Sequence, residues 1–296
     1  MRNMTEESAP LFSRRRLLAA GGAGIAVAGL GGAALAGNAS AEEPATTDCL
    51  RLTKESIEGP YYLDYDKYRS DVTEGKPGVP LTLRIRVLDS VHCRPLSRVA
   101  VDIWHCDALG VYSSYEEASS GDGGTPPPGT PTAVPTGPPP GGGGMHAEPD
   151  SDTTYLRGFQ MTDRAGWVTF RTVFPGWYRG RAVHIHTKVH VDGEFTGGKY
   201  VGGTDCHTGQ LYFPEKAIEA VARTQPYATN TTERTTNAED MLHTGDTAAD
   251  GMLALRYDER RVGRGVHAAI TLGVDPDAEH DGQDGGFPAP TSSPSA

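Results

Sequence analysis

The chain has 296 residues, 27 basic against 38 acidic, and a formal charge of −11 with its histidines neutral. An acidic balance of that size argues against nucleic acid and anionic membrane surfaces as partners. Four cysteines with no CxxC pair among them exclude a zinc ribbon.

Residues 1–41 read as an export signal. Arg14, Arg15 and Arg16 precede Leu17-Leu18, a run rich in Gly, Ala, Leu and Val follows to about Leu35, and Ala39-Ser40-Ala41 is a small-x-small cleavage signature. The paired arginines and the mild apolar run resemble a twin-arginine signal, with an ordinary secretory signal as the alternative. Either places the mature protein outside the cytoplasm. Loss of the leader's four arginines and two glutamates leaves 23 basic and 36 acidic residues, a charge of −13. No later apolar run is long enough for a membrane span.

All four cysteines follow the leader, and an oxidising compartment permits two disulfides. Of the three pairings, Cys49 with Cys93 and Cys106 with Cys206 is preferred, a buried free thiol at Cys106 being the alternative. Glu58-Gly59-Pro60-Tyr61-Tyr62 is a turn followed by two aromatics. Leu81, Leu83, Ile85 and Val87 alternate with polar residues, as in a strand with one buried face. Val99–Trp104 reads as the next strand and runs into His105–Tyr112.

Residues 121–144 change character. Seventeen of these 24 residues are Gly or Pro, too many for a packed element, so the segment reads as a surface loop inserted within one domain. Strands are expected again at Trp167–Val173, Val183–Val191, Gly209–Phe213 and Val266–Leu272. Only Pro214–Arg223 has helical spacing, with Ala217, Ile218 and Val221 on one face. The domain is expected to span 42–274 and residues 275–296 to form a disordered tail. Short strands separated by turns and a single helix predict an all-β fold, a β-sandwich of mostly antiparallel strands with long loops and one short helix.

Alternation along Val183–Val191 sends His184, His186, Lys188 and His190 to one face. Two imidazoles two residues apart on a strand face can share a metal ion. His190, about 13 Å beyond His186, cannot join them. His92, His146, His243 and His280 lie in turn-like or low-complexity surroundings and read as solvated, and His105 as a packed core histidine. A bare His-x-His also occurs by coincidence and in structural zinc sites. Tyr178, after the Pro175-Gly176 turn, and Tyr112, after Leu109-Gly110, are candidate further ligands, a core or surface aromatic being the alternative for each. Arg179 and Arg181 are nearby fixed charges.

The segments Ile103–Tyr112 and Pro175–His186 resemble the signature segments of the intradiol ring-cleavage dioxygenases, as Glu58–Tyr62 and Thr208–Phe213 resemble two further family phrases. The resemblance covers roughly residues 49–274 in the family's order. It implies a non-haem ferric ion, Fe(III), held by Tyr112, Tyr178, His184 and His186. It also implies cleavage of a small aromatic diol by O2, between the hydroxylated carbons, to a muconate-type diacid. Tyr178 is then the ligand that leaves as substrate enters and takes up a proton. Arg181 stabilises negative charge on the ring, Gln210 lies beside it, and Gly59, Pro60 and Tyr61 line the substrate cavity. The Tyr178–His184 interval is shorter than in the cytosolic catechol enzymes and no helical dimerisation region precedes Glu58, so the oligomeric state stays open. The leader and the Gly/Pro insertion resemble the exported branch of the family. A non-catalytic β-sandwich that binds metal or surface polymer is the competing reading, and it gives Tyr112, Tyr178, Arg181 and Gln210 no reason to stand together.

Overall fold

The computed structural model describes residues 50–64, 67–119 and 146–282. The leader, Cys49, the 121–144 insertion and the end of the tail lie outside the described residues. The strands are β1 (Pro80–Asp89), β2 (Arg94–Pro95), β3 (Ala100–Trp104), β4 (Arg157–Met161), β5 (Trp167–Val173) and β6 (His184–Val191), followed by β7 (Glu194–Thr196), β8 (Lys199–Val201), β9 (Thr204–Tyr212), β10 (Ala254–Tyr257) and β11 (Val266–Val274).

They form two packed sheets, an all-β sandwich. One sheet runs β10-β11-β1-β2 with β5 also paired to β1; the other runs β4-β3-β6-β9, and β7 with β8 makes a separate hairpin. All pairings are antiparallel except β1 with β11, which run parallel from Leu81↔Val266 to Asp89↔Val274. The period-two apolar positions meet between the sheets: Leu81, Leu83, Ile85, Val87, Phe170, Ala268 and Leu272 from one, Val101, Ile103, Ile185, Val189 and Leu211 from the other.

Among the described residues three α-helices occur where one was expected. α2 (Glu215–Ala222) occupies the predicted span and buries Ala217, Ile218 and Val221. α1 (Glu116–Ser119) is one turn whose first N–H groups, from Glu116, Glu117 and Ala118, all donate to the Asp150 carboxylate. α3 (Gly245–Asp250) is closed by a capping box between Thr244 and Thr247. Both extra helices are made by local caps rather than by an apolar stripe, which is why periodicity passes over them.

Three other expectations need correction. Cys106 and Cys206 are both free and buried; the first packs with Trp104, Tyr112 and Tyr115 and the second in the inter-sheet core, so they sit in different clusters. Residues 275–282 are not a loose tail. His280 N donates to Asp205 O (2.6 Å), Thr208 Oγ1 to His280 O (2.7 Å) and Glu58 N to Gly282 O (3.1 Å). Finally, β6 is buried on both faces rather than one, with only His190 partly exposed.

Candidate metal centre

The polar face of β6 meets its neighbours in fixed register: Trp104↔His186 on β3, and His186↔Gln210 and His184↔Tyr212 on β9. His184 and His186 therefore stand at one end of this sheet face, both buried, with their Nε2 atoms 3.0 Å apart. His184 Nδ1 bonds Ala182 O at 2.6 Å, so that nitrogen carries the proton and Nε2 keeps its lone pair. The Trp104 indole stacks on the His186 ring, 4.8 Å between centroids and 9° apart.

Two loops bring the tyrosines in. Asp107 N donates to Val111 O (2.8 Å) and Gly176 N to Asp107 O (2.9 Å), which ties the 107–112 turn to the 174–178 turn. Backbone meets backbone there: a Cβ on Gly110 would overlap the Trp177 carbonyl, and one on Gly176 the Ala108 carbonyl. The rings of Tyr112 and Tyr178 consequently lie edge to face at 5.8 Å. Tyr178 Oη is 3.4 Å from His184 Nε2, and the Tyr112 ring is 6.3 Å from that of His186. Tyr112 Oη is buried without a hydrogen-bond partner. Of the four side chains only Tyr178 is partly exposed.

Arg181 lies beside them. Its Nε donates to both oxygens of Asp240 (3.2 and 3.1 Å) and its Nη2 to Gln210 Oε1. Gln210 is fixed further by Tyr212 Oη, which donates to its Oε1 (2.9 Å), and by its own donation to Ile57 O (2.9 Å). Arg179, by contrast, is exposed. Burial lowers the His184 pKa to about 3, with help from Arg181, and holds His186 well below its ordinary value. Burial also raises Tyr112 well above 10 and Tyr178 to about 12, against the pull of Arg181. Burial alone opposes charge on Arg181, but the tyrosines and Asp240 reverse it and its pKa rises. Burial pushes Asp240 up, and Arg181 with the N–H groups of Leu242 and Ala182 more than offsets that.

Among the residues expected to line a substrate cavity, Gly59 is buried over His186: a Cβ there would stand 3.3 Å from the imidazole Cε1. The Tyr61 ring packs at 4.9 Å from Tyr112 and 5.0 Å from Tyr115. Pro60 is exposed, and its carbonyl accepts the Ala147 N–H (2.9 Å). His105 is the packed core histidine expected, bonded to Cys106 O and Thr172 Oγ1 at 2.8 Å each. His146, read as solvated, instead pairs with the buried Glu58, and His243 packs against Tyr212.

Sequence reasoning missed three supports: Trp104, whose ring braces His186; Asp240, which holds Arg181 and the Ala182 N–H (2.8 Å); and Glu58, paired with Lys188 beneath the Gly59 turn. Asp240 sits in an irregular stretch and carries no pattern. Lys188 did carry a signal, since a lysine on the ligand face of a strand calls for a buried counter-ion.

No group of three or more His, Cys, Asp or Glu side chains able to hold a metal occurs among the described residues. The convergent set contains two histidines, its other donors being phenols. That set fits a ferric ion. Two imidazole nitrogens face each other, one with a free lone pair; an orphaned phenol stands beside them; and burial keeps both tyrosines protonated unless a strong cation replaces the proton. Two phenolates are hard anionic donors suited to a trivalent ion.

The sandwich thus gathers two phenols and two imidazoles beside the partly buried Arg181. The structural neighbours of the chain are intradiol ring-cleavage dioxygenases. An intradiol ring-cleavage dioxygenase from Tetranychus urticae is 26% identical, with 78% of this chain and 97% of that one covered, at a TM-score of 0.62. A second dioxygenase structure, Tetur07g02040, is 26% identical over 77% of this chain and 96% of that one, also at 0.62. No protein-family model matches the sequence, and no curated protein does.

Proposed function

We propose that the chain is an exported non-haem iron dioxygenase that cleaves a catecholic ring between its hydroxylated carbons, consuming O2 and giving a muconate-type diacid. The observation that carries this reading is the convergence of Tyr112, Tyr178, His184 and His186 beside Arg181. Those four residues would hold Fe(III), which when bound supplies Lewis-acid activation of the diol.

The side chains have distinct tasks. His184 and His186, kept neutral by burial, would each turn an Nε2 lone pair to the ion, and the Ala182 carbonyl and the Trp104 ring fix their planes. Tyr112, buried and walled by Tyr61, stays in place. Tyr178, the one partly exposed side chain of the four, would be the phenolate released as substrate enters, and its Oη would then take up a proton from the diol. Arg181, clamped by Asp240 and Gln210, offers a permanent charge to the negative charge that develops on the ring. Gly59 and Tyr61 border the approach, and Pro60 shapes the turn between them. Residues 1–41 direct export through the twin-arginine route, and Cys49 pairs with Cys93 in the oxidising compartment.

Colour tests the centre. Purified iron-loaded protein should be reddish from tyrosinate-to-ferric charge transfer, and catechol should shift the band. Tyr178→Phe should keep iron, alter the band and slow O2 uptake. Protein that stays colourless after iron loading would sink the reading. Oxygen uptake with catechol, protocatechuate and hydroxyquinol then sets the ring class.

A further inference from the structure

At the other end of the same sheet face lies a cavity of about 300 Å3 to which none of the four candidate ligands contributes. Trp104, the residue that stacks on His186, lines it, as do Tyr62, Phe159 and Tyr200. Asp102 of β3 lines it as well.

The Asp102 carboxylate makes no hydrogen bond or ion pair among the described residues, although cations surround it. Its cross-strand neighbour Lys188 directs Nζ to Glu58, to Asp205 Oδ2 (3.0 Å) and to Asp281 O (3.0 Å). Arg157 spends its guanidinium on Ser113 Oγ (2.8 Å), Ser113 O (2.9 Å) and Tyr61 O (2.7 Å). His190 bonds Asp205 Oδ1 at 2.6 Å. Each nearby cation is thus committed elsewhere, and burial raises the Asp102 pKa to about 7 in spite of them. A half-desolvated carboxylate without a partner is costly unless something from outside supplies donors. A perturbed carboxyl in a cleft of this kind marks a candidate binding site.

The walls narrow the class of guest. Among the lining side chains Lys67 and Arg157 offset Asp64 and Asp205, which leaves Asp102 as the one carboxylate over and disfavours an anion. Aromatic rings offer flat apolar faces, and Asp102 wants O–H or N–H donors. A volume near 300 Å3 is the lower end for ligand pockets and suits one ring. We propose that this cavity is a second binding site, separate from the metal centre, for a small neutral ring carrying hydroxyl groups that donate to Asp102. A single sugar unit and a second phenolic ring share that chemistry. Because Trp104 borders both places, an occupant would lie one side chain away from His186.

Titration of the full-length mature chain at pH 8 with methyl glucopyranoside and with resorcinol, by calorimetry and saturation-transfer NMR, tests this. At least one probe should bind saturably, and which one does identifies the source of the ring. Asp102→Asn should weaken that binding at least tenfold, since an amide replaces a charged acceptor. Tyr200→Ala, on the peripheral β7–β8 hairpin, should weaken it too and serves if the first variant folds poorly. Tyr178→Phe should leave it unchanged. The proposal is overturned if neither probe saturates, if both cavity variants bind as the parent does, or if Tyr178→Phe abolishes binding. None of these outcomes depends on iron or turnover.

Discussion

Arg181 can stand charged beside Tyr112 and Tyr178 because Asp240 takes both a guanidinium N–H and the Ala182 N–H while burying its own carboxylate. Asn at 240 keeps one acceptor but loses the charge, so the guanidinium gains freedom just where its direction matters. Asp240→Asn should lower kcat/KM ten- to hundredfold, the usual range for a partner behind the reacting groups, while the iron colour persists. Loss of colour together with activity would show that Asp240 acts through folding instead. Asp102 makes the opposite case. Its folded pKa, about 7, lies above the unfolded value of 3.8, so the folded state holds its proton longer and stability falls as pH rises from about 4 to 7. The full shift corresponds to about 4 kcal/mol, and water entering the cavity reduces it. Asp102→Asn should therefore melt with the parent at pH 4 but several degrees higher at pH 8. Equal melting at both values would mean that the carboxylate is effectively solvated.

At the scale of elements, the site depends on a strap that no periodicity announces. The alternation of β6 was legible and correctly put His184 and His186 on one face, yet it implied that this face met solvent. Instead Ser56 N donates to Thr208 O (3.1 Å), Glu58 N to Gly282 O, and Lys188 reaches Glu58 and Asp281 O. The 56–62 segment is thus held between β9 and residues 280–282. Irregular backbone paired to irregular backbone leaves no mark in hydrophobic spacing, and the same holds for the parallel β1–β11 match, where each strand reads alike whichever neighbour it takes. Ending the chain after Asp277 removes the outer side of the strap, and none of the described residues it removes belongs to the inter-sheet core. The truncated protein should keep its β-sheet circular dichroism, melt a few degrees lower, and exchange amide hydrogens of residues 54–64 much faster. KM for the diol should rise several-fold, because Gly59 and Tyr61 ride on the loosened segment. Unchanged exchange in 54–64 would show that β9 alone secures it.

Over the whole molecule, the proposed export signal and the four cysteines bear on one question, the redox state of the chain. The sandwich and the placing of His184 and His186 on one face were readable because strand alternation is local; Tyr112 and Tyr178 were assigned as ligands only through the family resemblance, and cysteine pairing depends on three-dimensional placement. Cys106 lies beneath the tyrosines and its Sγ contacts Gly176 O at 3.7 Å, while Cys206 lies in the inter-sheet core. Burial raises the Cys206 thiol to about 12 and Cys106 higher still, so neither forms a reactive thiolate at neutral pH. A thiol count on protein expressed with residues 1–41 in place and purified without reductant separates the remaining states. Native protein should react with no equivalents of an aromatic disulfide reagent, denatured protein with two, and denatured and reduced protein with four. Four equivalents before reduction would remove the proposed Cys49–Cys93 bridge and with it one reason for an oxidising compartment. None before reduction would mean that Cys106 and Cys206 pair after all, which would require the loop beneath Tyr112 and Tyr178 to leave the position that brings the two phenols together.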